Sequence, residues 1–159
     1  MNTDQVTAVL RKCEVFGGLS EQELEPIARL AKIEKFNVGD TIYTQGNIGK
    51  KLSVLSKGQV SLERKMTIGG KRKATVPVLV QRETPSRRLM GGWSSLVGEE
   101  HVQMCTARCY KPTTVIALLS AELNELISKY LDTRLKILEK IVLLLRDRIA
   151  SSYQEMEAM

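Results

Sequence analysis

The sequence predicts a mainly β protein with flanking helices: a β-sandwich or barrel over residues 33–119, helices over 1–32 before it, and helices over 120–159 after it. Three observations carry that expectation. Apolar residues recur at helical spacing at both ends of the chain. Between Ile33 and Leu119, short runs with β-branched residues alternate with the turns Gly39-Asp40, Gln45-Gly46-Asn47, Lys57-Gly58 and Gly69-Gly70, the pattern of many short strands. The final segment carries an apolar seam at alternating spacings of four and three.

In chain order, residues 3–12 read as a short helix with Val6, Val9 and Leu10 on one side. A second helix opens at Ser20, where Ser20 and Glu23 form a capping-box pattern and Leu19 with Leu24 a hydrophobic staple. Pro26 falls inside it and removes a hydrogen bond, so a kink or a tightened first turn is expected. Strands are expected at 41–43, 51–55, 60–63, 75–80, 104–107 and 115–118, with a basic hairpin tip over 66–73. Pro77 cannot donate to a ladder, which confines its strand to an edge or a bulge. Helix returns at Ser120, read as a cap, with Leu123, Leu126 and Ile127 facing inward.

The last segment is the strongest helix. Leu131, Leu135, Leu138, Val142, Leu145 and Ile149 form a heptad-type seam that Tyr153 and Met156 extend, and Ile137, Ile141 and Leu144 add a second stripe. A face that broad serves two surfaces, one docked on its own domain and one offered to a partner, or else a single wide buried face. The first is expected. It implies a homodimer through Leu135, Leu138, Val142, Leu145 and Ile149, because large exposed apolar strips are uncommon on soluble proteins.

Composition narrows the function. The start, Met1-Asn2-Thr3-Asp4-Gln5, is polar and lacks a basic n-region. The longest apolar run, residues 141–145, is far short of the roughly 20 that span a bilayer. A cytoplasmic protein without a membrane segment is expected. Net charge is +6, with Arg64, Lys65, Lys71, Arg72, Lys73, Arg82, Arg87 and Arg88 in the middle of the chain. Such charges either keep a hairpin edge solvated and unpaired or attract an anionic partner. Two Phe, four Tyr and one Trp leave few stacking platforms for nucleic acid. Three cysteines without a scaffold pattern fit reduced thiols. Cys105 and Cys109, if on a strand, are about 13 Å apart, too far for a disulfide or a shared zinc, and both face the same side, most simply the core. No nucleophile–base pair, metal-ligand cluster or phosphate-binding loop is present, so no catalytic residue, metal or cofactor is assigned.

The order of helices, strands and long helix, together with Val15-Phe16-Gly17-Gly18-Leu19-Ser20, Phe36-Asn37-Val38-Gly39-Asp40, Gln45-Gly46 and Leu52-Ser53-Val54-Leu55-Ser56-Lys57-Gly58-Gln59-Val60, resembles the cyclic-nucleotide-binding domain family, the effector domain of the catabolite activator protein. The resemblance runs from about Val15 into the final helix. It implies a double-stranded β-helix, or jelly-roll β-roll, with N-terminal helices and a long C-terminal helix. It also implies a ligand cassette: a Phe-Gly-Glu turn, a short helix, then an arginine just before a small-residue strand. In binding members the glutamate accepts the ribose hydroxyl, while the arginine and the helix N–H groups hold the cyclic phosphate. Here the cassette falls on Gly91, Gly92 and Trp93, with Ser94, Ser95, Leu96 and Val97 as the short helix. Counted back from Thr106-Ala107, the arginine position falls on Gln103, beside Met104. Both charged anchors are replaced. The Gly-Trp-Ser turn is similar to that of a degenerate subfamily.

The leading reading is a regulatory, effector-binding module that does not bind cAMP or cGMP in the usual way. The N–H groups and hydroxyls of Ser94 and Ser95 remain as donors for a small anionic ligand. A ligand-free scaffold that acts through its C-terminal helix, with Trp93 plugging the pocket, is the alternative. Binding of DNA by 1–159 is not expected, since no helix-turn-helix follows the long helix within it, and an enzyme is the least favoured class.

Overall fold

The computed structural model describes residues 1–84 and 87–158. Helix α1 (Thr3–Arg11) and helix α2 (Glu21–Leu30) come first. Eight strands follow: β1 (Lys32–Phe36), β2 (Thr41–Tyr43), β3 (Lys51–Lys57), β4 (Val60–Ile68), β5 (Arg72–Gln81), β6 (Leu89–Gly91), β7 (Thr106–Cys109) and β8 (Thr113–Leu119). A 3-10 helix, Trp93–Val97, separates β6 from β7. Helix α3 (Ser120–Ile127) and helix α4 (Leu131–Glu157) close the chain.

Two antiparallel four-stranded sheets, ordered β1-β8-β3-β6 and β2-β7-β4-β5, make the roll. The period-2 alternation of strands sorts their side chains into two cores. Leu55, Met90 and Val115 from the first sheet meet Val60, Leu62, Leu79, Ala107 and Cys109 from the second inside the roll. Leu52, Val54, Leu89, Ile116 and Leu118, on the other face of the first sheet, meet the helices. That sheet is therefore covered on both sides, which is why β8 reads as a nearly unbroken apolar run. Cys109 is buried in the roll core, and Cys105, which lies just before β7 and not on it, packs against that core; both thiols are free.

The helix starts follow their sequence signals. Ser20 Oγ accepts from Glu23 N at 3.2 Å and Ser20 N donates to Glu23 Oε1 at 3.0 Å. Helix α2 runs continuously through Pro26. Ser120 does not cap α3: the cap position is Leu119, and Ser120 is the first helical residue. Its N–H donates to Lys50 O at 2.9 Å, which ties the helix start to the roll. Pro77 lies on the edge strand β5, opposite Glu63, where the β4–β5 register shifts. The β4–β5 hairpin is longer than expected. Its strands pair as far as Ile68 and Arg72, and Gly69 and Gly70, at φ 62° and 75°, make the turn. Two positive φ angles are what a tight hairpin demands and what glycine supplies without a steric cost.

Strand β7 begins two residues later than the sequence suggests. Residues 101–103 pair instead with the 46–49 turn: Gly46 N donates to Gln103 O at 2.8 Å, Gln103 N to Asn47 O at 2.8 Å, and Gly49 N to His101 O at 2.7 Å. This side pairing ends before Met104, which is exposed. No helix among the described residues is long and apolar enough to cross a membrane.

Candidate functional site

The cassette stands where β6 leaves the roll. Gly91 has φ 109°, and a Cβ there would sit 2.6 Å from Lys51 O. Position 91 therefore accepts no side chain. Met90, one residue earlier, fills the roll core. Met90, Gly91 and Gly92 thus offer a large apolar residue, a mandatory glycine and a third position one step before Gly91, Gly92 and Trp93. Gly92 has no room for a side chain either, since a Cβ would meet Gly49 C and O at 2.7 Å. With the pattern placed on either set of residues, no carboxylate stands after the glycine.

The 3-10 helix from Trp93 to Val97 is pinned by Leu96, which is fully buried in the helical core. Trp93 packs against that same core, and its ring meets His101 edge-on, with centroids 4.9 Å apart and planes at 64°. The indole thus belongs to the helical side of the molecule. The Gly49 and Gly92 backbones lie against each other, and the buried side chain beside Gly49 is Gln103. It is 5% exposed, and a Cβ on Gly49 would fall on its amide nitrogen and 3.0 Å from Gly92 Cα.

The turn's donors are already engaged. Ser94 Oγ lies 2.7 Å from His101 Nδ1, and Ser94 N points at the same nitrogen from 3.4 Å. Two donors converging on Nδ1 make it an acceptor, which leaves the ring proton on Nε2. Burial lowers the His101 pKa from its ordinary value, against an opposing hydrogen bond from the ring to the Gln103 side chain, and so favours the neutral ring. Ser95 N donates to Gly92 O at 3.1 Å, and Ser95 Oγ donates to the same oxygen. The expectation that Ser94 and Ser95 keep free donors for an anion is corrected by these bonds. A neutral histidine and a backbone carbonyl occupy them.

Met104 points outward, and its carbonyl accepts from Arg64 Nη1. This bond ties the base of the basic hairpin to the end of the cassette.

Two charged residues beside the site escaped the sequence reading. Glu14 accepts from Arg88 N at 3.1 Å and Leu89 N at 2.9 Å. Arg148, on α4, donates to Leu89 O at 2.7 Å and lies 3.5 Å from Glu14. Together they clamp the start of β6 to the helices. The available signal was a lone charge within apolar sequence for Glu14, between Cys13 and Val15; Arg148 follows Arg146 and Asp147 and carries no such signal. Tyr43 shares this region. Burial pushes its phenol well up, with the nearby Arg148 charge acting the other way.

On α4, Ile137, Ile141 and Leu144 are buried against the protein's own helical core, and Leu138 and Leu145 pack partly against it. Leu131, Leu135, Val142, Ile149, Tyr153 and Met156 are exposed, Val142 at 65%. The two stripes thus part company, and the seam is left uncovered along most of its length.

No protein-family model matches the sequence, and no curated protein matches it. Solved structures do. A cyclic nucleotide-binding domain from Methylobacillus flagellatus superposes with a TM-score of 0.77 at 17% identity, covering 98% of this chain and 83% of that one. The regulatory subunit of a cAMP-independent protein kinase A from Trypanosoma brucei, solved as a mutant bound to cAMP, gives 0.70 at 14%, covering 98% and 50%. The Thermus thermophilus catabolite activator protein gives 0.67 at 22%, covering 91% and 62%. This chain therefore spans about half of the Trypanosoma subunit and under two thirds of the Thermus protein. At these identities the likeness establishes the fold: a mainly β roll with flanking helices, the architecture of cyclic-nucleotide-binding domains.

Proposed function

We propose that this protein is a regulatory module of the cyclic-nucleotide-binding type whose cassette does not hold cAMP or cGMP in the usual way, and which pairs with a second copy through α4. The observation that carries the reading is Gln103, buried against Gly49 at the position where the resemblance puts the phosphate-binding arginine. An uncharged amide forgoes a charge-assisted bond of about 1.5–3 kcal/mol, a loss of roughly tenfold to over a hundredfold in affinity. The missing carboxylate after Gly91 removes the ribose acceptor as well. Signalling without cAMP has a parallel in the cAMP-independent kinase subunit that shares the fold.

The homodimer rests on the exposed seam of α4. Leu135, Val142 and Ile149 repeat every seven residues on the face turned away from the core, and a two-fold axis is the commonest way for a chain to cover such a stripe with itself.

The engaged donors of Ser94 and Ser95 support a second reading, a ligand-free scaffold that acts through α4 alone. A thermal-shift screen of nucleotides and anionic metabolites separates the two, because a ligand that binds only the folded state raises its melting temperature. A specific stabiliser whose effect disappears in Gln103→Ala supports the effector module. A flat screen, with a dimer that persists, supports the scaffold.

A further inference from the structure

A cavity of about 330 Å3 lies along α4, lined by Glu14, Arg87, Lys140, Arg146, Asp147 and Arg148. No residue of the cassette lines it. Its volume is at the lower end of the range for small-molecule sites.

Four cations face two carboxylates there, and the pairing leaves two cations over. Glu14 is taken by the Arg88 and Leu89 N–H groups and by Arg148 at 3.5 Å. Asp147 is 3.1 Å from Arg146. Among the described residues, neither Arg87 nor Lys140 enters an ion pair. Burial works against the Arg148 charge, and the like charge of Arg87 adds to that. Holding uncompensated like charges around one cavity is unfavourable unless an anion neutralises them.

We propose that this cavity binds a soluble phosphomonoester dianion, gripped by Arg87 and Lys140, with the Ser151 hydroxyl, also in the lining, as a further donor. A guanidinium presents paired N–H groups to phosphate oxygens, and an ammonium adds a point charge. Two unpaired positive charges match the two negative charges of the ligand. A bound phosphate would tie Arg87, in the β5–β6 connection, to the middle of α4. The site is independent of the cassette, and its failure would leave the proposed function untouched.

Inorganic phosphate is the probe, titrated at about pH 7.5, where it is largely dianionic, against chloride at matched ionic strength. Calorimetry is expected to show saturable binding. Arg87→Gln/Lys140→Gln should weaken it at least about tenfold, while Lys71→Gln/Lys73→Gln on the hairpin should leave it unchanged. No saturable binding, or equal binding by the Arg87/Lys140 variant, overturns the proposal. Should that variant fail to fold, amine acylation of the unmodified protein decides. Phosphate must slow modification of Lys140 and not of Lys71; equal rates at Lys140 with and without phosphate overturn the site. Vesicles containing phosphatidate should not sediment the protein. Sedimentation that depends on Arg87 and Lys140 would make the ligand a lipid headgroup and overturn the soluble one.

Discussion

Gly49→Ala tests whether the cassette is closed by Gln103. The new methyl would fall on the Gln103 amide nitrogen and 3.0 Å from both Gln103 Cδ and Gly92 Cα. Gln103 has little room to retreat, because its backbone is held to the 46–49 turn at 2.8 Å and its side chain is buried. Overpacking of this kind costs about 1–3 kcal/mol. The lower backbone entropy of alanine in the unfolded chain returns about 0.4–1 kcal/mol. The net expectation is about 1–2 kcal/mol of destabilisation, a fall in melting temperature of about 2–8 °C for a protein of this size. In a Gln103→Ala background the amide is gone and only the Gly92 contact remains, so the cost should drop by about 1 kcal/mol or more. Urea unfolding of the four proteins, read as midpoint shifts at constant m, measures this coupling. A neutral Gly49→Ala, or an equal cost in both backgrounds, would refute the closed site.

Further expectations concern α4 and two titrating groups. Val142→Glu/Ile149→Glu, both at exposed positions, should give a monomer with an intact roll, read by light scattering and circular dichroism; an unmodified protein already monomeric at tens of micromolar would sink the dimer. Leu145, which packs partly on the helical core, is the wrong place for a charge, and Leu145→Glu should destabilise the fold itself. The folded His101 has a pKa below its ordinary 6.5, so its contribution is present above that value and is lost as pH falls through the folded pKa. The unmodified protein should therefore lose more thermal stability than His101→Gln on acidification below about pH 6.5; identical slopes would contradict the neutral-ring assignment. Glu23 is held down to about 2, first by Lys136 and then by Ser20 and Thr133. Glu23→Gln should be less stable at neutral pH, with the gap closing as pH falls from about 4.3, the unfolded value, towards 2. A gap unchanged across that range would argue against the α2–α4 link.

The parts of the fold that read directly from sequence are those governed by local chemistry. The Ser20–Glu23 box, the Gly69-Gly70 turn and the edge position of Pro77 each follow from what one or two residues permit. The two faces of α4 were legible because Ile137, Ile141 and Leu144 form a stripe apart from Val142 and Ile149. What escaped depends on contacts remote in sequence. Ser120 looks like a cap, but the helix starts at Ser120 itself, whose N–H is drawn to the remote Lys50 O and whose hydroxyl caps nothing. Strand β7 starts late because residues 101–103 prefer the 46–49 turn. The cassette register could be read only from the backbone, where Gly91 has a positive φ and the Lys51 carbonyl lies against it. Trp93 reads as a plug because it is large, and its packing on the helical core depends on partners remote in sequence. Gln103 lies buried against Gly49, where the missing Cβ leaves room for its amide.

Calorimetric titration with cAMP tests the central claim most directly. The account predicts no saturable heat at micromolar ligand, since the cassette lacks both charged anchors and its remaining donors are bonded to His101 and Gly92. A dissociation constant in the low micromolar range or tighter would contradict it, and would mean that another cation reaches the cyclic phosphate and that Gln103 swings clear of Gly49 to admit it.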